Sequence, residues 1–211
     1  MTKTALLICG ALGKEVKTLV DERGWDVDIY GVPAMHHFYP KKIIDAVDRR
    51  LAALSPQYGR VVVVYGDCGT AGALEPVLDR HGAVRVRGPH CYEMFAGSTE
   101  FERLMEQEPA TFFLTDWLVR NFERAVVRGL GLDRYPELKP VYFQNYTNLL
   151  YLVQFSSDAL LEKAHEIGAY LNLPLEIRHV GLGELETRLA ELVSFSIPLA
   201  GRAGEGVRVL G

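Results

Sequence analysis

The chain carries no excess of positive charge: 23 Lys and Arg stand against 27 Asp and Glu in 211 residues, a formal net charge of −4. Without a basic field nothing favours a nucleic-acid backbone or an acidic membrane surface, so neither is expected as a partner. Long apolar runs are missing too. No stretch approaches the ~20 consecutive apolar residues of a bilayer span, and residues 1 to 25 open on a strand-like run instead of a basic region followed by a long apolar one. The expectation is a cytoplasmic protein, complete from its first residue. Cysteine is scarce: three residues cannot build a disulfide scaffold. An odd number of thiols in a reducing compartment points instead to metal ligands, a nucleophile or buried free thiols. There is also no dinucleotide fingerprint, phosphate-binding loop, nucleophile-elbow serine or zinc-protease helix motif. Gly129-Leu130-Gly131-Leu132 follows no strand and lacks the third glycine.

The composition, 48% hydrophobic and 24% charged, excludes disorder and suits one globular unit or two small lobes sharing a core. Ala5-Leu6-Leu7-Ile8-Cys9 is a short continuous apolar run closed by Gly10, the pattern of a parallel strand buried on both faces. Leu12, Val16, Leu19 and Val20 then repeat at helical spacing up to Gly24, and 25–30 alternates as a returning strand. The same strand, helix, strand order recurs from Val61 to Val86 and from Leu149 to Arg178. These three Rossmann-like βαβ units predict an α/β fold on an open, mostly parallel sheet. Between the second and third lies an aromatic-rich segment, 89–146, read as an insertion over one sheet edge. A single α/β domain is expected over 1–197, with lobes at 1–88 and 141–197, a connecting segment at 89–140 and a C-terminal tail at 198–211.

Ligands of open α/β sheets collect at the carboxyl ends of parallel strands, where turns and helix N-termini present backbone N–H groups. Cys9, Cys68 and Cys91 all fall on that rim by sequence position. If they converge, they form a three-thiolate site with an open fourth position for His90, His37, water or substrate, which suits zinc or a site-differentiated iron–sulfur cluster. No Cys-x-x-Cys pair supports this, and each cysteine can equally be a small buried hydrophobe. His37, in the loop before Pro40, is a candidate ligand or general base, and Asp67 and Glu93 beside the cysteines are candidate acid–base groups. Alternatively Gly66, Gly69 and Thr70 form a turn whose N–H groups cradle a small anion, with Gln144 to Asn148 lining the same pocket. A third reading makes Cys68 a nucleophile activated by helix N–H groups. Asp116 reads as a helix N-cap.

Several short pieces together resemble the domain of unknown function 1638 family. They are Cys9-Gly10 with Glu15, His37 before Pro40 and Lys42-Ile43, Tyr65-Gly66-Asp67-Cys68-Gly69, His90-Cys91 running into Gly97-Ser98, and Thr111 to Trp117. They cover residues 5 to about 120 well. Pro89-His90-Cys91 lacks the acid that the family pattern places between His and Cys, which weights Cys91 over His90. The resemblance implies a place beside corrinoid proteins and methyltransferases in one-carbon metabolism. With it, the three-cysteine reading becomes a zinc centre, or alternatively a [4Fe-4S] cluster, that activates a small-molecule thiol for methyl transfer, in an enzyme or an accessory protein.

Overall fold

A computed structural model describes residues 3–194; the tail expected at 198–211 lies outside them. The first half runs β1 (Thr4–Cys9), α1 (Gly13–Arg23), β2 (Val27–Val32), α2 (Pro40–Leu54), β3 (Arg60–Val64), α3 (Glu75–His81) and β4 (Val84–Arg85). Then come α4 (Cys91–Ala96), α5 (Ser98–Gln107), β5 (Thr111–Thr115), α6 (Asp116–Phe122) and α7 (Lys139–Phe143). The chain continues with β6 (Asn148–Val153), α8 (Asp158–Leu171), β7 (Leu175–His179) and α9 (Gly183–Ser194). Every strand pairing is parallel. The expected α/β class and its βαβ rhythm are what the chain adopts.

The strands are divided between two sheets, ordered β2-β1-β3-β4 and β5-β6-β7. The first two βαβ units build the first sheet, and the third unit builds the second together with β5. That strand comes from the aromatic-rich segment, so the segment does more than cover an edge. Its Leu114-Thr115-Asp116 stretch reads in the sequence as a strand end passing into a helix N-terminus, and β5 does give way to α6 there; what the sequence does not reveal is its pairing with β6.

β1 and β3 are continuous apolar runs because each lies in the interior of its sheet with helices on both faces. β6 shows how the two halves share a core. Leu150 and Leu152 pack with the first sheet's residues, whereas Leu149, Tyr151 and Val153 pack with Phe122, Ala164 and Ile167 on the opposite face. The two-residue period of a strand sends alternate side chains to two cores. α9 returns the chain to the first core, burying Leu185, Leu189 and Val193 there. No helix among the described residues is long and apolar enough to cross a membrane.

Asp116 is not the cap of α6. Thr115 holds that position, its Oγ1 accepting from Leu118 N at 3.4 Å. The Asp116 carboxylate, fully buried, turns to the end of β6. There it accepts from Tyr151 Oη (2.8 Å), Gln154 N (3.1 Å), Phe155 N (3.0 Å) and Arg120 Nη2 (3.2 Å).

Candidate functional site

The carboxyl ends of β1 and β3 bring the first two cysteines to one place. Cys9 closes β1, and its Sγ accepts from Ala11 N at 3.4 Å. Tyr65 follows β3 and is fully buried, and the 66–69 turn then lies against 88–91. Asp67 N donates to Gly88 O at 3.1 Å and Cys68 N to Pro89 O at 2.8 Å. Gly66 is required at this crossing, because a Cβ there would sit 2.6 Å from His90 Cα. Cys68 adopts a left-handed φ of 48°, a conformation rare outside glycine and asparagine, held by those two hydrogen bonds. Cys91 begins α4 on the far side of the crossing.

The three thiols sense one another. Burial pushes the Cys9 thiol up to about 11 and the Cys68 thiol up to about 12, and it pushes Cys91 well above the usual thiol range. After burial, the charge of Cys9 raises Cys68, and the charges of Cys68 and Cys9 raise Cys91. The Tyr65 hydroxyl is raised by burial and then by the charges of the three cysteines, and its buried Oη meets no hydrogen-bond partner of good geometry. Glu15 of α1, 1% exposed, acts on Cys9 and Cys91. Its carboxyl is raised chiefly by burial, and its Oε2 is unpaired. Among the described residues, however, no group of three His, Cys, Asp or Glu side chains is arranged to hold a metal ion.

Cys68 and Cys91 open into a cavity of about 380 Å3 between the first sheet's rim and the start of the second half. Its walls are apolar: Phe38, Tyr92, Phe112, Trp117, Leu118, Val126, Leu130 and Phe143 line it, and among the described residues no Lys, Arg, Asp or Glu does. Ala125 and Val126 reach it from Glu123–Val127, where α6 continues as a π-helical turn, a distortion frequent at functional sites.

His37, His90 and Thr115 bring further polar groups to the lining. The His37 ring stacks on Tyr65, centroids 5.5 Å apart, and its Nδ1 pairs with Ala34 O at 2.7 Å. A carbonyl only accepts, so Nδ1 carries the proton and Nε2 is left as an acceptor or ligand atom. His37 stands in the solvent at the cavity mouth, yet crowding by protein atoms on its other sides lowers its pKa. His90 packs edge-on against Phe101 and Tyr92. Burial lowers its pKa, and its Nδ1 has no partner.

The other candidates have different surroundings. The Asp67 carboxylate accepts from Gly72 N (2.8 Å), Ala71 N (3.0 Å) and Thr70 Oγ1 (2.9 Å), and these bonds, led by Gly72, lower its pKa. The N–H groups taken up by this carboxylate are those of Ala71 and Gly72, while the Thr70 hydroxyl also bonds it and Thr70 N donates to Asp67 O at 2.9 Å. Gln144 to Asn148 do not line the cavity. Glu93 faces away from the thiols into a second, charged cleft. Arg188 of α9 grips it through Nη1 (2.8 Å) and Nη2 (2.5 Å), and also bonds Ser98 Oγ, Glu184 and Arg87 O. That clamp ties α9 to the helix carrying Cys91. Replacing Arg188 with alanine strands the buried Glu93 carboxylate, and a loss of about 2–3 kcal/mol is expected in urea unfolding, discounted for the partial exposure of the guanidinium.

The sequence reading did not single out Tyr65 and the aromatic walls as site residues. Tyr65 was signalled by its place directly after the valine run, the walls by the aromatic texture of 89–146. Neither the curated proteins nor the solved structures offer a match to the chain. The family described as "Protein of unknown function (DUF1638)" matches residues 32–189, more than half of the 211, a span that includes His37, the Tyr65 to Thr70 turn, Cys91 and most of the cavity walls, and the chain belongs to that family.

Proposed function

We propose that the cavity is a small-molecule site whose base, formed by Cys9, Cys68 and Cys91, takes up a soft metal ion, zinc or alternatively a [4Fe-4S] cluster. One observation carries the reading: the end of β1, the 66–69 turn bonded to 88–91, and the start of α4 each bring a thiol to one rim, and two of the three line an apolar cavity. The donor set fits the group. Thiolates are the preferred ligands of zinc and of iron–sulfur clusters, and a cation would offset the mutual repulsion that these thiolates would otherwise suffer. The side chains as placed do not form a ligating arrangement, so loading entails rotation of the thiols toward one another. His90, with its unpaired Nδ1, or His37, with its free Nε2, would supply the fourth position. Bound there, such a metal would keep a sulfur nucleophile anionic at neutral pH. The protein's own part is to hold the ligands, exclude water and orient a substrate along the apolar walls.

The finer reading, methyl transfer in corrinoid-linked one-carbon metabolism as a methyltransferase or as an accessory to one, comes from the family resemblance. An apolar cavity suits an alkyl group. A metal-free Cys68 nucleophile fits less well, since a thiol raised to about 12 is protonated at neutral pH. The test is metal analysis with a visible spectrum on protein purified without oxygen, beside Cys68→Ala. Near-stoichiometric zinc, or iron with sulfide, lost in the variant, is the expected result. No metal in either protein after attempted reconstitution would refute the reading.

A further inference from the structure

The cavity has two unlike ends. The His37 ring stacks on Tyr65, which leads into the 66–69 turn carrying Cys68, and that turn is bonded to the 88–91 segment carrying Cys91, so His37, Cys68 and Cys91 share one end. Trp117, Leu118 and Leu130 belong to the wall contributed by the second half, and no charged group of the described residues lines that wall. Among the described residues, an anion entering this cavity would meet no Lys or Arg in exchange for its water, and a cation no carboxylate. The one ring nitrogen of His37 left unengaged is an acceptor, because Nδ1–H is committed to Ala34 O.

We infer that the cavity takes an uncharged molecule with an alkyl or aryl body and a single hydrogen-bond-donating head, a thiol or a hydroxyl, whose head meets His37 Nε2 beside Cys68 and Cys91. This rests on reading the cavity as a small-molecule site and is independent of the metal. The body gains by leaving water against the aromatic walls, and the head replaces its hydrogen bond to water with one to the imidazole. A headless hydrocarbon would forgo the bond to the imidazole acceptor, and a charged head would give up part of its water with no charged group of the described lining in return.

Trp25 and Trp117 are the two tryptophans, and only Trp117 lines the cavity, so Trp25→Phe makes emission a reporter of this site. The full-length Trp25→Phe chain, freed of metal by chelation, would be titrated with benzyl alcohol, benzyl mercaptan, toluene, benzoate and benzyltrimethylammonium. The expected result is saturable binding of the alcohol or the mercaptan, at least about tenfold tighter than benzoate or the ammonium ion. Whichever neutral probe binds better identifies the head. His37→Phe keeps a ring on Tyr65 but removes the acceptor. It is expected to weaken the better neutral probe by about tenfold and leave toluene unchanged, so toluene also reports that the cavity is intact. The inference is overturned by absent saturation with both neutral probes, by benzoate or the ammonium ion binding as tightly, or by His37→Phe leaving the head-bearing probe unaffected. Because metal is excluded, failure here and failure to load metal are separate outcomes.

Discussion

Asp116→Ala is expected to destabilise the fold by about 4 kcal/mol, measured as a shift in urea midpoint at unchanged slope. The carboxylate accepts from two backbone N–H groups, from the Tyr151 hydroxyl and from Arg120, all at the junction of β5, β6 and α6. Alanine leaves those donors without their acceptor in a place that is fully enclosed at Asp116 itself. Each stranded buried donor costs about 1–3 kcal/mol, less where water reaches it, as at the half-exposed Arg120. Asp116→Asn keeps one oxygen but turns an N–H2 toward donors, so an intermediate loss is expected. Equal stability of wild type and Asp116→Ala would show that this junction is not held by the carboxylate.

Gly66→Ala is expected to cost about 3 kcal/mol and to abolish metal uptake. The new methyl would stand 2.6 Å from His90 Cα, 2.9 Å from His90 N and 3.0 Å from Pro89 O, all backbone atoms that cannot swing aside. Relief requires the 66–69 turn to lift from 88–91, breaking the Cys68 N to Pro89 O bond and drawing Cys68 away from Cys91. Calorimetry gives the first effect and metal analysis of the folded fraction the second. A variant with native stability but no metal would isolate the geometric contribution. Full metal content would mean that the crossing does not set the thiol positions.

The parts of the fold legible in the sequence were those where one physical signal dominates. The valine run of β3 and the apolar run of β1 announce buried parallel strands, and the rim positions of Cys9, Cys68 and Cys91 follow from where those strands end. The division into two sheets was not legible, because it depends on which strands pair, and the sequence does not reveal that β5 pairs with β6. The surroundings of Glu93 were not legible for a related reason. It sits two residues after Cys91, but a helix turns residues i and i+2 to different faces, and Arg188, far along the chain, claims it. Asp67 shows the opposite limit: its neighbours Thr70 to Gly72 form an Asx-type turn that the sequence permits, but that its carboxylate accepts from all three of them follows only from the folded turn.

X-ray absorption at the edge of the bound metal, on protein loaded without oxygen, tests the central claim most directly. The account predicts a shell of three sulfur scatterers, at about 2.3 Å if the metal is zinc, with one nitrogen or oxygen at about 2.0–2.1 Å. One sulfur should be lost in each of Cys9→Ser, Cys68→Ser and Cys91→Ser. A first shell of nitrogen and oxygen alone, or a sulfur count indifferent to all three substitutions, would contradict it.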